Sequence, residues 1–91
     1  MTITASPTPN PNSLKFEVAG PPLIDDGLLA FHSLVEAAEH PLAADLFALR
    51  GVESLLIVPH FVTVTKHPAA DWDLLAAGVE AVLTEHLYGK A

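Results

Sequence analysis

Hydrophobic and polar positions alternate most sharply over residues 52–66, VESLLIVPHFVTVTK, a stretch rich in β-branched and aromatic residues with a turn signal at Pro59-His60. It reads as two strands of a hairpin. With Pro59-His60 as the turn, Ile57 lies opposite Val62, Leu55 opposite Val64 and Glu53 opposite Lys66 on one face. Val58 with Phe61, Leu56 with Thr63 and Ser54 with Thr65 share the other. One face is apolar and closes on an opposite-charge pair, while the other fades from apolar to hydroxyl. A slip of one residue would send each side chain to the wrong side, so the pattern itself fixes the register. Proline holds φ near about −65°, which the primed hairpin turns reject at their first central position. The expectation at Pro59-His60 is therefore a type I turn with a bulge, or a slightly longer loop, rather than a tight two-residue turn.

Upstream, residues 13–18 alternate again. Leu14, Phe16 and Val18 fall on one side and Ser13, Lys15 and Glu17 on the other, as in a half-buried strand. Residues 1–12 are mostly Thr, Ser, Pro and Asn. Residues 1–7 read as a flexible lead and residues 8–91 as one domain, with Pro7, Pro9 and Pro11 keeping the chain extended. Asp25-Asp26-Gly27 signals a turn, and residues 28–33 fit a short strand around Leu29 and Phe31. An irregular turn over residues 35–39 then gives way to a helix with Pro41 at its first position, Leu42, Leu46 and Leu49 at helical spacing, and Gly51 as a left-handed cap. After the hairpin, Asp71 suits an N-cap, and Trp72, Leu75, Val79, Val82, Leu83 and Leu87 form one helical stripe. Gly78 inside that stripe is expected to mark a close approach of helix to sheet, with a functional kink as the alternative. The elements add up to an α+β fold: a small, mostly antiparallel β-sheet with two helices packed on one face.

Composition narrows the chemistry. Among 91 residues there is no cysteine, which removes disulfides, thiol nucleophiles and cysteine-ligated zinc or iron–sulfur sites from this stretch of chain. Eleven acidic residues against four basic ones give a net charge of −7. A surface of that sign repels phosphate backbones, so nucleic acid is not an expected partner, and an electropositive protein or a metal ion is the easier one. No apolar run approaches the roughly twenty residues of a spanning helix, so no membrane segment is expected. The first twelve residues hold neither a basic residue nor an apolar core, which points to a cytoplasmic protein.

Five histidines (His32, His40, His60, His67 and His86) raise a histidine and carboxylate metal-handling reading, yet none pair at i, i+4 and no HExxH spacing occurs. The acidic pairs Asp25/Asp26 and Asp71/Asp73 sit at a turn and a helix start, where structural roles prevail. No nucleophile elbow or phosphate loop is present, so nothing argues for an enzyme or a cofactor. The one polar stretch left over is residues 8–16, TPNPNSLKF. Two asparagines among prolines either tie the N-terminal segment to its own sheet or present preorganised amides to a partner.

TPNPNSLKF, Pro41-Leu42-Ala43 with Leu46-Phe47, Gly51-Val52, FVTVTK at 61–66 and Asp71-Trp72 occur in this order. Together these stretches resemble the N-terminal domain of the Nfu-type, NifU-like iron–sulfur cluster scaffold proteins. The resemblance covers about residues 8–88. In two-domain members the cluster is carried by a separate C-terminal domain with a CxxC motif; without cysteine, that activity is not carried over to these residues. His40 stands where the family commonly has serine, and Ala76-Ala77 replace a proline-containing first turn. The resemblance implies a non-enzymatic interaction module that docks to an iron–sulfur scaffold, carrier or recipient protein. Its expected contact positions are Asn10, Asn12, Lys15 and Lys66.

Overall fold

The computed structural model describes residues 2–89. Its order is β1 (Thr2–Pro7), β2 (Ser13–Ala19), β3 (Leu29–Phe31), α1 (Leu34–Ala37), α2 (Pro41–Phe47), β4 (Val52–Val58), β5 (Phe61–Lys66) and α3 (Trp72–Thr84), with a π-helical turn at Glu85–Gly89. The five strands form one sheet in the order β1-β2-β5-β4-β3, every neighbouring pair antiparallel. The hairpin sits at its centre and the helices pack on one face, giving the α+β architecture that the alternation implies.

The core lies between that face and the helices. Phe16, Ile57, Val62 and Val64 are fully buried from the sheet, as are Leu46, Val79 and Leu83 from the helices. Each helix begins where a side chain meets its free N–H groups. Ser33 Oγ accepts from the Glu36 amide at 3.1 Å, and Asp71 Oδ1 from that of Asp73 at 2.8 Å. His40 caps α2 through Nδ1, accepting from the Ala43 amide at a longer 3.3 Å, with Pro41 at the first helical position.

The hairpin register holds from Val58↔Phe61 to Ser54↔Thr65 and fails at the last expected pair. A bulge between Val52 and Ser54 skips Glu53, so Lys66 lies opposite Val52, and the Glu53–Lys66 pair does not form. The turn also differs from expectation. Strand pairing runs to Val58↔Phe61, leaving two residues in the turn, and neither has positive φ. The loop carbonyls explain why this is tolerated: Pro59 accepts from the Leu23 amide at 2.7 Å and His60 from that of Val18 at 2.9 Å. Neighbouring chain thus holds a turn that an isolated hairpin would disfavour.

Residues 1–7 were expected to be a flexible lead, but Thr2–Pro7 pair along β2, with Ile3 opposite Val18 and Ala5 opposite Phe16. The pairing needs only backbone groups, which β2 supplies. Helix α2 ends at Phe47, earlier than expected, and Gly51 (φ +103°) turns the chain into β4. The close approach at Gly78 is to Leu49, not to the sheet: a Cβ there would meet Leu49 Cδ2 at 3.1 Å.

Candidate partner-binding surface

The segment between β1 and β2 is a turn built from its own polar groups. The Asn10 carbonyl accepts from the Ser13 amide at 2.9 Å, with Pro11 at the position where its fixed φ favours a turn. Asn10 Oδ1 accepts from the Asn12 amide at 2.9 Å, which closes an Asx-turn. Thr8 Oγ1 accepts from the Asn10 amide at 3.1 Å and reaches the carbonyls of Asn10 (2.9 Å) and Ser13 (3.2 Å).

This turn is fastened to the far end of the hairpin. The Asn12 carbonyl accepts from the Lys66 amide at 2.8 Å, and Asn12 Oδ1 from Lys66 Nζ at 3.2 Å. The ammonium also donates to the carbonyls of His67 and Pro68, both at 3.4 Å, and lies 5.9 Å from the Trp72 ring centroid. Trp72 Nε1 donates to the Pro11 carbonyl at 3.3 Å, and its ring packs 6.3 Å from that of Phe16. Lys66 is only 7% exposed. A buried ammonium is tolerable because three oxygens and an aromatic face replace its water.

Of the four expected contact positions, the fold therefore brings Asn10, Asn12 and Lys66 together and sets Lys15 apart. Lys15 is on the opposite face of β2, 3.1 Å from Glu17 Oε2 and 4.6 Å above the Phe61 ring. Asn12 and Lys66 are occupied with each other; Asn10 is exposed at the tip of the turn. The sequence places Trp72 in a helical core stripe and in the Asp71-Trp72 signature, and neither reveals its indole N–H as a clamp on Pro11. The partner is 61 positions away, and no local periodicity reports such a contact.

The histidines do not converge. His60 and His67 are exposed, His67 Nδ1 accepting from the Ala69 amide at 3.0 Å, and His86 Nε2 meets Asp45 Oδ2 at 2.7 Å. Among the described residues no three His, Asp or Glu side chains lie together in a way that could hold a metal ion. Among them, too, no helix is long and apolar enough to cross a membrane.

With that geometry in view, comparison with known proteins gives a consistent picture. The family model described as "Scaffold protein Nfu/NifU N terminal" matches residues 3–90. The human NFU1 iron-sulfur cluster scaffold homolog, mitochondrial, is 40% identical over 86 residues, covering 93% of this chain and 34% of the human protein. NifU-like protein 5, mitochondrial, of Arabidopsis thaliana is 38% identical over 85 residues, covering 93% of this chain and 30% of its own. A Staphylococcus aureus protein solved by crystallography superposes with a TM-score of 0.74 at 27% identity, over 91% of this chain and 99% of that one. The solution structure of a NifU-like protein from Saccharomyces cerevisiae gives 0.71 at 27% identity, over 92% and 76%. The chain spans about a third of the length of these two curated relatives. Both are named as mitochondrial, which overturns the cytoplasmic location expected from the N-terminal residues. The composition of a dozen residues was too slender a basis for a compartment.

Proposed function

The chain belongs to the scaffold protein Nfu/NifU N-terminal family, and from that premise we propose that it is a non-enzymatic docking module of iron–sulfur cluster assembly or delivery. It contacts a scaffold, carrier or recipient protein and holds no cluster through cysteine, since these 91 residues contain none. The observation that carries the reading is the turn at residues 8–13. It is cross-braced by its own side chains, clamped by Lys66 and Trp72, and still exposes Asn10. A polar tip that is already rigid loses little conformational freedom when a partner covers it. In this reading Asn10 makes the contact, and Lys15 extends it onto the open face of the sheet. Asn12 and Lys66 fix the turn from beneath.

Titrating the isotopically labelled chain with iron–sulfur assembly proteins, cluster-free and cluster-loaded, tests the surface. The expected result is shifted amides within residues 8–16, and unperturbed amides there would remove the surface assignment. Reconstitution with iron and sulfide tests the rest: the chain should emerge from gel filtration without bound cluster. Retained iron and sulfide in stoichiometric amounts would show it to be a carrier.

A further inference from the structure

The sheet has two open edges, and they are guarded differently. The β1 edge ends at Pro7, which cannot donate to a further ladder, and Ile3 on it packs against the core. The β3 edge, Leu29–Phe31, is three residues long, but it carries no lysine, proline or bulge, and among the described residues it pairs only with β4. Residues 28–35, which form β3 and the start of α1, also hold most of the large hydrophobic side chains that the described residues leave exposed. These are Leu28 (58%), Leu29 (37%), Leu34 (55%) and Val35 (85%); Leu74 on α3 is the other. Concentration of that kind marks a contact surface, where scattered single residues would need no explanation. Helix α1 follows β3 after His32 and Ser33 and packs against it.

The charge around this edge selects its occupant. From residue 16 to residue 49 the chain has no lysine or arginine, and it has Glu17, Asp25, Asp26, Glu36, Glu39 and Asp45. Asp25 and Asp26 precede the exposed leucines across Gly27, and Glu36 and Glu39 follow Val35 within four positions; all four are exposed. A second copy of this chain, docked edge to edge, would bring these carboxylates against their equivalents, which costs rather than gains. A strand carrying lysine or arginine alternating with apolar residues meets both features at once. Its backbone continues the ladder, its apolar side chains cover Leu29 and Val35, and its cations face the carboxylates.

We propose that the β3 edge, with α1 beside it, is a second docking surface that accepts an extended, basic and apolar segment of a partner protein as a sixth strand. This surface lies at the opposite edge of the sheet from the turn at residues 8–13, and the proposal stands whether or not that turn binds iron–sulfur proteins. The probe is an acetylated peptide alternating lysine and valine, titrated into the labelled chain. Controls are the same peptide with glutamate for lysine and one with proline at its centre, which cannot complete a ladder. The lysine peptide should shift amides within residues 28–36 and leave residues 8–16 unmoved, with affinity falling at least about fivefold between 0.05 and 0.5 M NaCl. Val35→Lys, at a position too exposed to affect folding, should weaken binding about tenfold or more while the rest of the spectrum stays unchanged. Binding of the glutamate or proline peptide as tightly as the lysine one would overturn the proposal, as would the absence of shifts at 28–36. Sedimentation of the free chain as a dimer that Val35→Lys dissociates would assign the edge to a second copy instead.

Discussion

Lys66 shows how one residue ties distant parts of the chain together. Alternation along FVTVTK places it on the core face, and so it is found, but its partner is Asn12 rather than Glu53. No local pattern reveals the bulge that skips Glu53, nor a contact made 54 positions away. Replacing Lys66 with methionine keeps most of the buried aliphatic stem and removes the ammonium. It should destabilise the domain by about 1–2 kcal/mol, because Asn12 Oδ1 and two carbonyls lose a charged donor and only part of that loss is recovered from water. Asn12→Ala should cost less. A double-mutant cycle by urea unfolding should return a coupling of about 0.5–1.5 kcal/mol. Simple additivity would mean that the 3.2 Å contact contributes nothing. The same variants, by loosening the turn, should weaken any partner contact made through Asn10.

Among the elements, those with strong periodicity were legible and those held by their neighbours were not. The central hairpin, β2 and α3 each carry an apolar face that only one register or helical phase buries, so their sequence states their place. Strand β1 has a weaker signature: Thr, Ser and Pro dominate it, Ile3 alone packs against the core, and the β2 backbone ladder does most to place it. The site divides along the same line, since TPNPNSLKF announces a turn but not that Lys66 and Trp72 clamp it. Two glycines test the packing between elements. Gly51 has φ +103°, and a Cβ there would lie 2.8 Å from Ala70 Cβ, so Gly51→Ala faces both strain and a clash. A loss of about 2–3 kcal/mol is expected from thermal or urea unfolding. Gly78 is different, because alanine gains about 1 kcal/mol of helix propensity while pressing on the flexible tip of Leu49 at 3.1 Å. Those effects nearly cancel, leaving Gly78→Ala within about 0.5 kcal/mol of the parent. A loss as large as that of Gly51→Ala would show that Leu49 cannot give way.

The whole molecule carries a charge of −7, with very little to balance it. Among the described residues the ion pairs are Lys15–Glu17 and two, His32–Glu36 and His86–Asp45, that are charged only when the histidine is protonated. Lys66 places its charge against carbonyl and amide oxygens, and among the described residues Arg50 makes no carboxylate pair. Repulsion among exposed carboxylates therefore outweighs attraction in the compact state, and the unfolded chain relieves it by spreading the same charges apart. Screening acts on both, but the net repulsion is the larger quantity, so added salt should stabilise this domain. Raising NaCl from 10 to 300 mM at pH 7.5 should lift Tm by about 2–5 °C, since about 1 kcal/mol moves a domain of this size by 4–8 °C. Potassium and choline chlorides should act like sodium chloride, because the effect is one of ionic strength and not of a bound cation. A Tm that falls with salt would show that attractive pairs dominate after all. Binding should respond in the opposite sense: the self-repulsion that salt relieves in the free chain is the same field that draws a basic partner to it.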